Sequence, residues 1–529
     1  VEKIWLKGFF YQKLLRNCKK NAIFQPKSKP IIMSLFRKKD LTAMLAQSED
    51  GGKGLKRTLG AGNLIALGIG AIIGAGLFVR TAAAAGQAAG PAVTLSFIIA
   101  AVGCAFAGLC YAEFAAMIPI AGSAYAYSYV TMGELVAWII GWALIMEYAL
   151  GAATVSIAWS EYLNKLTGGA IPYEWSHSPF ESFTDSMGVA HSGIMNAPAL
   201  IILLALTLLL IKGSQESAIV NAVIVFIKVA IVIIFIAIGW QFIKPENHTP
   251  YMIPAGQAAV TDSAGKVIAD YSGAFKHGWG GVLGGAAIVF FAFIGFDAVS
   301  TAAQEAKNPK RDMPIGILGS LVVCTILYIL FGHVLTGVAN WKDFVDPEKG
   351  REASVAYAIS TYMTGYGWLA TAVTVAILAG FSSVILVMLM GQSRIFYSMS
   401  KDGLLPKAFG DLHPKYQTPY KSNWILFVFV GLFAAFVPGS VAGDLTSFGT
   451  LFAFVLVSLG VWILRRKSPE MERPFKTPLV PLVPILGAVI CLAMIFALDM
   501  QTLKVAFIWM ILGLFVYFLY SKKTSKLNK

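Results

Sequence analysis

Residues 67–78 read LGIGAIIGAGLF, and residues 290–300 read FFAFIGFDAVS. Each lies inside an apolar run long enough to cross a bilayer. In the first, Gly68, Gly70, Gly74 and Gly76 crowd the middle. In the second, Gly295 stands among aromatics and Asp297 follows two residues later. A spanning segment asks for an unbroken helix, because hydrocarbon offers no water to a free peptide group. Glycines at its centre lower the cost of leaving the helix. The glycine run has three readings. As a nucleotide fingerprint, Gly68-x-Gly70-x-x-x-Gly74 has the wrong spacing and no strand–turn–helix setting. As a packing motif, Gly70 and Gly74 form G-x-x-x-G. As an unwound segment at mid-membrane, the run is tolerated only where it lines a cavity.

Working outward, the 529 residues are 57% hydrophobic and only 13% charged, with mean hydropathy +0.69. A soluble chain would carry about 25% charge. Twelve apolar runs follow one another: 62–82, 90–117, 134–163, 196–212, 218–243, 279–304, 313–339, 367–397, 422–438, 443–464, 478–499 and 503–521. Spans 9 and 10 are short and separated only by Pro438 and Gly439, so eleven is the alternative count. The fold class expected is an all-α integral membrane protein. The two glycine-centred runs are the first spans of two five-helix halves. The division expected is a basic N-terminal segment (1–58), a transporter region (59–521; halves 62–243 and 279–464, then 478–521) and a tail (522–529).

Of the 42 Lys and Arg, 32 fall on the side that would carry both termini and 9 on the other. That skew places both termini in the cytoplasm and the chain in the cell membrane. It also accounts for the net charge of +14. Basic residues spread over short loops make no nucleic-acid face. Five cysteines show no C-x-x-C pair, and four of them sit in apolar runs, so neither disulfide framework nor zinc site is indicated. His177, His191, His248 and His277 in the outer loops form no tight cluster. No cleavable signal pattern is evident. Met33 opens MSLFRKKDL like a natural start, which makes residues 1–32 an expected upstream extension.

Paired helix breaks in two halves point to a transporter site. A break leaves amides that can hold a carboxylate and carbonyls that can accept from an ammonium. Such a site suits a zwitterion, hence an amino acid.

Here the chain becomes recognisable. GAIIGAGLF in span 1, YAEFAAMIPIAGSAYAYSY from Tyr111 and FFAFIGFDAVSTAAQEAKNPKRDMPIGI from Phe290 resemble the amino acid–polyamine–organocation superfamily. NAVIVFIKVAIVIIF from Asn221 and GQSRIFYSMSKDGLLPKAF from Gly391 look like its cationic amino acid transporter branch. The resemblance covers about residues 55–520. It implies a five-plus-five inverted repeat, two added helices, discontinuous helices 1 and 6 at Gly70, Gly74 and Gly295, and alternating access. It assigns Ile72, Ala75 and Gly76 to the substrate carboxylate through amides. Phe291, Ala292 and Ile294 would meet the ammonium through carbonyls, with Phe291 also a gate. Relatives often carry a hydroxyl residue where Ala75 stands.

Ionisable groups inside spans are functional candidates by default. Lys228 lies ten residues into span 5; burial makes its charge costly, so it can exchange a proton. The resemblance implies an amine where sodium-coupled relatives hold Na⁺, next to the span 1 break. Proton-coupled symport through Lys228 is the expectation, a permanently charged pin the alternative. Glu147, midway in span 3, is a pocket residue, a counter-charge to Lys228 or a structural group. Glu113 reads as structural or an inner-gate residue, and Asp297 as a helix cap or a gate. The loop Glu305–Asp312 holds inner-gate ion pairs or simply a topology signal, and Lys401 and Asp402 read the same way. By the resemblance Met388 closes the far end of the pocket. That favours small neutral L-amino acids such as alanine over cationic ones. No cofactor is expected beyond a coupling proton; the partners are substrate and lipid bilayer. A small single-helix membrane subunit would leave no mark on this sequence. An embedded enzyme lacks a convergent catalytic set, while a non-transporting sensor or an exchanger would share this binding sequence.

Overall fold

The computed structural model describes residues 35–40, 57–74, 76–120, 123–184, 190–261, 267–345, 354–496, 498 and 500–528. Residues 1–32 and Ala75 therefore lie outside the described residues. Each of the twelve apolar runs contains a helix. Tyr420–Phe436 and Gly439–Lys467 are separate helices, since Pro438 carries no amide to continue the first and stands as N-cap of the second. Among the described residues, eight helices are long and apolar enough to span alone. Ala61–Ile72, Ala197–Lys212, Tyr420–Phe436 and Leu482–Phe496 are shorter apolar helices. Large side chains such as Ile201, Phe226 and Phe507 face outward from different spans, making an apolar belt for lipid.

Span 1 is broken. Its first half, Ala61–Ile72, stops at Ile73, which turns extended at φ −76° and ψ 105°. Helical structure resumes at Gly76 and runs to Met117, through a bend at Gly90. Span 6 breaks correspondingly. Gly278–Phe290 tightens into the turn Phe291–Phe293, Ile294 is extended, and Gly295 has φ +114°. The short helix Ala298–Thr301 then continues the span.

The glycines explain why the breaks sit together. A Cβ on Gly76 would collide with the backbone of Ala292. A Cβ on Gly295 would lie 2.8 Å from that of Ala71. Each break thus carries a glycine where the other presses on it. Gly70 is not at a break, contrary to expectation: it lies inside Ala61–Ile72 and packs against Asn221 and Ser383. Gly68 packs against Ser320 of span 7, and Gly74 against Val384 of span 8. The packing and unwinding readings both hold, for different glycines.

Spans 7 (Pro309–Val338) and 8 (Gly367–Lys401) flank this centre. Span 7 lies along spans 1 and 2, and span 8 along spans 1, 3 and 5. One face gathers the described terminal residues. There Arg37 Nη1 donates to the Leu527 carbonyl at 2.7 Å, and Lys39 pairs with Asp402 at 2.6 Å. Glu134 accepts from Tyr129, Tyr517 and Ser525 at 2.6–3.0 Å. The tail is therefore stitched to the start of span 3 and the end of span 8. The Lys526 amide donates to the Asp402 carbonyl at 3.0 Å, so Asp402 holds both terminal segments.

Gly295→Ala should cost at least about 1 kcal/mol, because Ala disfavours positive φ and Ala71 occupies the space. Thermal unfolding of the detergent-purified protein checks it; an unchanged midpoint would refute the interlock.

Candidate functional site

The first half of span 1 ends with carbonyls that have no helical partner. Three side chains meet them. Lys228 Nζ donates to the carbonyls of Gly70 at 2.8 Å and Ile73 at 2.7 Å. Ser383 Oγ lies 3.1 Å from the Gly70 carbonyl and 2.5 Å from Asn221 Oδ1. Tyr328 Oη reaches the Ile72 carbonyl and the Ala292 carbonyl, both at 2.8 Å. The single hydroxyl proton thus has an acceptor from each break within reach. Lys228 is fully buried. Gly380 leaves room for its stem, and its titratable neighbour is the thiol of Cys324.

Between the breaks lies a cavity lined by Ala71, Ile72, Gly74, Gly76, Gly151, Val155, Phe291, Ile294, Val384 and Met388. Its free volume is about 10 Å³, room for one water at most. The site is too small for an amino acid in this state, and among the described residues that line it none has a charged side chain. Met388 packs across from Gly151, so a bulky thioether occupies one end. Phe291 forms a wall, and Arg80 stacks on its ring with Cζ 5.1 Å from the centroid. That cation–π contact ties the wall to the start of the second half of span 1.

The sequence-derived residues fall into place unevenly. Gly76 opens the second half of span 1, so its amide is among the orphan donors of a helix start. The amide of Ile72 belongs to the last turn of the first half, where N–H groups are already paired. Its free group is the carbonyl, taken by Tyr328, so an amide role for Ile72 does not fit. The Phe291 carbonyl accepts from the Ile294 amide at 3.3 Å. The Ala292 carbonyl keeps a second lone pair beside Tyr328.

Glu147 does not neutralise Lys228. It sits in the π-turn Met146–Leu150, which faces it toward Asp297 and Thr450 instead. Neither of its oxygens has a hydrogen-bond partner of ordinary geometry. Asp297 makes no capping bond to the helix it precedes, so the cap reading gives way. Its Oδ2 accepts from Tyr148 at 2.5 Å. Two buried carboxyls therefore face each other.

Glu113 lies in an ion pair, which suits a structural or an inner-gate role alike. It accepts from Arg465 at 2.8 and 3.1 Å and from the Thr477 amide at 2.7 Å, pinning the loop after span 10 to span 2. Tyr328, Ser383, Asn221 and Arg80 escaped the sequence reading. A Tyr inside a span gives no signal, whereas Arg80, three residues after Leu77 on a helix held by glycines, was findable as a charge at the break.

Tyr328→Phe keeps the ring and removes the shared donor. Transport should fall about tenfold, the equivalent of roughly 1.4 kcal/mol for one buried hydrogen bond. Initial uptake rates on matched amounts of protein measure it, and an unchanged rate would sink the bridging role.

Comparison with known proteins agrees with this geometry. The family model described as amino acid permease matches residues 59–519. The branched-chain amino acid permease BcaP of Bacillus subtilis is 42% identical over 500 residues, covering 94% of this chain and 99% of that one. The methylthioribose transporter of the same organism is 41% identical, with coverage of 94% and 100%. The vacuolar cationic amino acid transporter 4 of Arabidopsis thaliana is 33% identical, with coverage of 83% and 68%. The chain belongs to the amino acid permease family of the amino acid–polyamine–organocation superfamily: it is a multi-pass membrane transporter of amino acids, not an enzyme.

Proposed function

We propose that this permease imports small neutral L-amino acids, alanine foremost, by proton-coupled symport in the cell membrane with both termini cytoplasmic. The observation that carries the coupling is the Lys228 ammonium seated on the carbonyls of the span 1 break. An ammonium has three protons to donate and braces both carbonyls; a neutral amine has two and no charge to hold them. Proton loss would thus loosen the first half of span 1, the element whose movement alternating access requires. The carboxyl pair of Glu147 and Asp297 supplies a second proton site.

The substrate reading rests on the lining. Every described side chain lining the cavity is apolar, so a cationic side chain would enter without a partner among them. The amides at Gly76 and Ala75 would take the carboxylate, and the carbonyls of Phe291, Ala292 and Ile294 the ammonium. The same apolar wall favours a second reading, a branched-chain side chain, which is the cargo named for the 42% identical relative. The five-plus-five repeat fits the corresponding breaks in spans 1 and 6.

Uptake into proteoliposomes across an amino acid panel, with and without an acid-outside gradient, tests the reading. The gradient should drive accumulation, and Lys228→Ala should reduce that accumulation about tenfold or more. Undiminished accumulation in the variant would remove the coupling role. Counterflow indifferent to the gradient would favour exchange. Met388→Ser should admit lysine and arginine as competitors; an unchanged competition profile would detach Met388 from selectivity.

A further inference from the structure

One turn beyond Met388 on the same face of span 8 lies Gln392. It is fully buried, and neither its amide nitrogen nor its amide oxygen has a partner. A buried carboxamide with both ends orphaned is costly, and it calls for a second state in which water or another group reaches it. Met388 borders the cavity, so the step from Met388 to Gln392 leads from the cavity toward the face that carries the termini.

That direction is closed by a single residue acting in two ways. Glu305 ends the last turn of span 6. Its carboxylate Oε1 accepts from Arg394 of span 8, at 2.8 Å from Nε and 2.5 Å from Nη2. Its carbonyl accepts from the amides of Thr58 and Leu59, both at 2.9 Å, where the chain enters span 1. The Lys307 amide returns a bond to the Leu59 carbonyl at 2.8 Å. The side chains of Glu305 and Arg394 are only 3% and 7% exposed. Glu305 thus fastens together the terminal ends of spans 1, 6 and 8. These three spans supply most of the cavity wall.

We propose that Glu305 is the lock of the passage from the substrate cavity to the terminal face, and that Gln392 lines that passage once it opens. The pair with Arg394 holds span 8 against span 6, and the backbone bonds hold the entry of span 1 against both. Breaking the pair leaves one buried charge without its counter-ion, which favours any state in which that charge meets water. Opening also wets the orphaned carboxamide of Gln392. Glu305 acts through the helices it joins and does not touch substrate, so its role is positional. This inference rests on transport by alternating access but not on the coupling ion or the cargo.

The test is cysteine accessibility in the full-length protein. Gln392→Cys is reconstituted, and a membrane-impermeant maleimide is applied from the terminal face. Cys18 is first replaced by Ser, and labelling is read above the background of that parent, in which the four described cysteines, Cys104, Cys110, Cys324 and Cys491, are buried. With the lock intact, labelling should be slow. Adding Glu305→Gln should speed it about tenfold, as should Arg394→Gln, since either shifts the population toward the open passage. The charge exchange Glu305→Arg with Arg394→Glu should restore the slow rate. A purely structural pair would lower thermal stability without changing the rate at Gln392→Cys, and that result would overturn the proposal. So would rapid labelling with the lock intact. Uptake by the parent protein is measured in parallel, so a failure of transport itself is seen separately from a failure of the lock.

Discussion

A helix that breaks inside hydrocarbon must find partners for the carbonyls it frees, and that demand organises the centre of this protein. The break after Ile72 exposes acceptors at the end of Ala61–Ile72. Span 5 answers with Lys228, span 7 with Tyr328 and span 8 with Ser383. Span 1 can break because three neighbours reach it, and those neighbours crowd it because it is built from glycines. Gly68, Gly70 and Gly74 let Ser320, Asn221 with Ser383, and Val384 come close enough for that contact. Packing and polar satisfaction are one arrangement, and either alone would leave orphaned groups at a cost of several kcal/mol in lipid.

Much of this was legible in the sequence, and the rest was hidden for physical reasons. Hydropathy marks each helix because lipid tolerates little polar surface. Gly295 and the glycine run stand out because apolar spans otherwise avoid crowding them. Lys228 stands out because a charge ten residues into a span needs a reason. Gly70 was misread as a break because a glycine that admits a neighbour and one that unwinds a helix look alike in one dimension. Tyr328 and Ser383 gave no signal, since hydroxyl residues are ordinary in spans and spacing does not say which carbonyl they meet. The meeting of Glu147 with Asp297 depends on a local π-turn, a register shift that the pattern of apolar residues does not report.

The division of labour at the cavity follows from where polarity was placed. The charges of a zwitterion are invariant across amino acids, and backbone groups are the part of a protein that substitution cannot change. A cradle made of amides and carbonyls therefore serves every amino acid alike. What differs among cargoes is the side chain, and in the proposed reading it would meet Val155, Val384 and Met388, which line the cavity. Relatives at 42% and 41% identity carry names with chemically different cargoes, a branched-chain amino acid and methylthioribose. Overall similarity to these relatives therefore does not by itself name the cargo.

The closed cavity bears on how recognition and movement are joined. With about 10 Å³ free, the site cannot hold an amino acid without parting its walls. Those walls belong to the two broken spans and to span 8, the same elements that Lys228, Tyr328, Arg80 and Glu305 bind together. A substrate that replaces Tyr328 on the Ala292 carbonyl, or props Phe291 against Arg80, would change the bonds that hold these spans in register. A ligand shifts a conformational equilibrium only by the difference between its contacts in the two states. In the proposed reading an amino acid would meet free groups such as the Gly76 amide and would also compete for bonds that fasten the closed state, and that competition would couple occupancy to loosening of the helices.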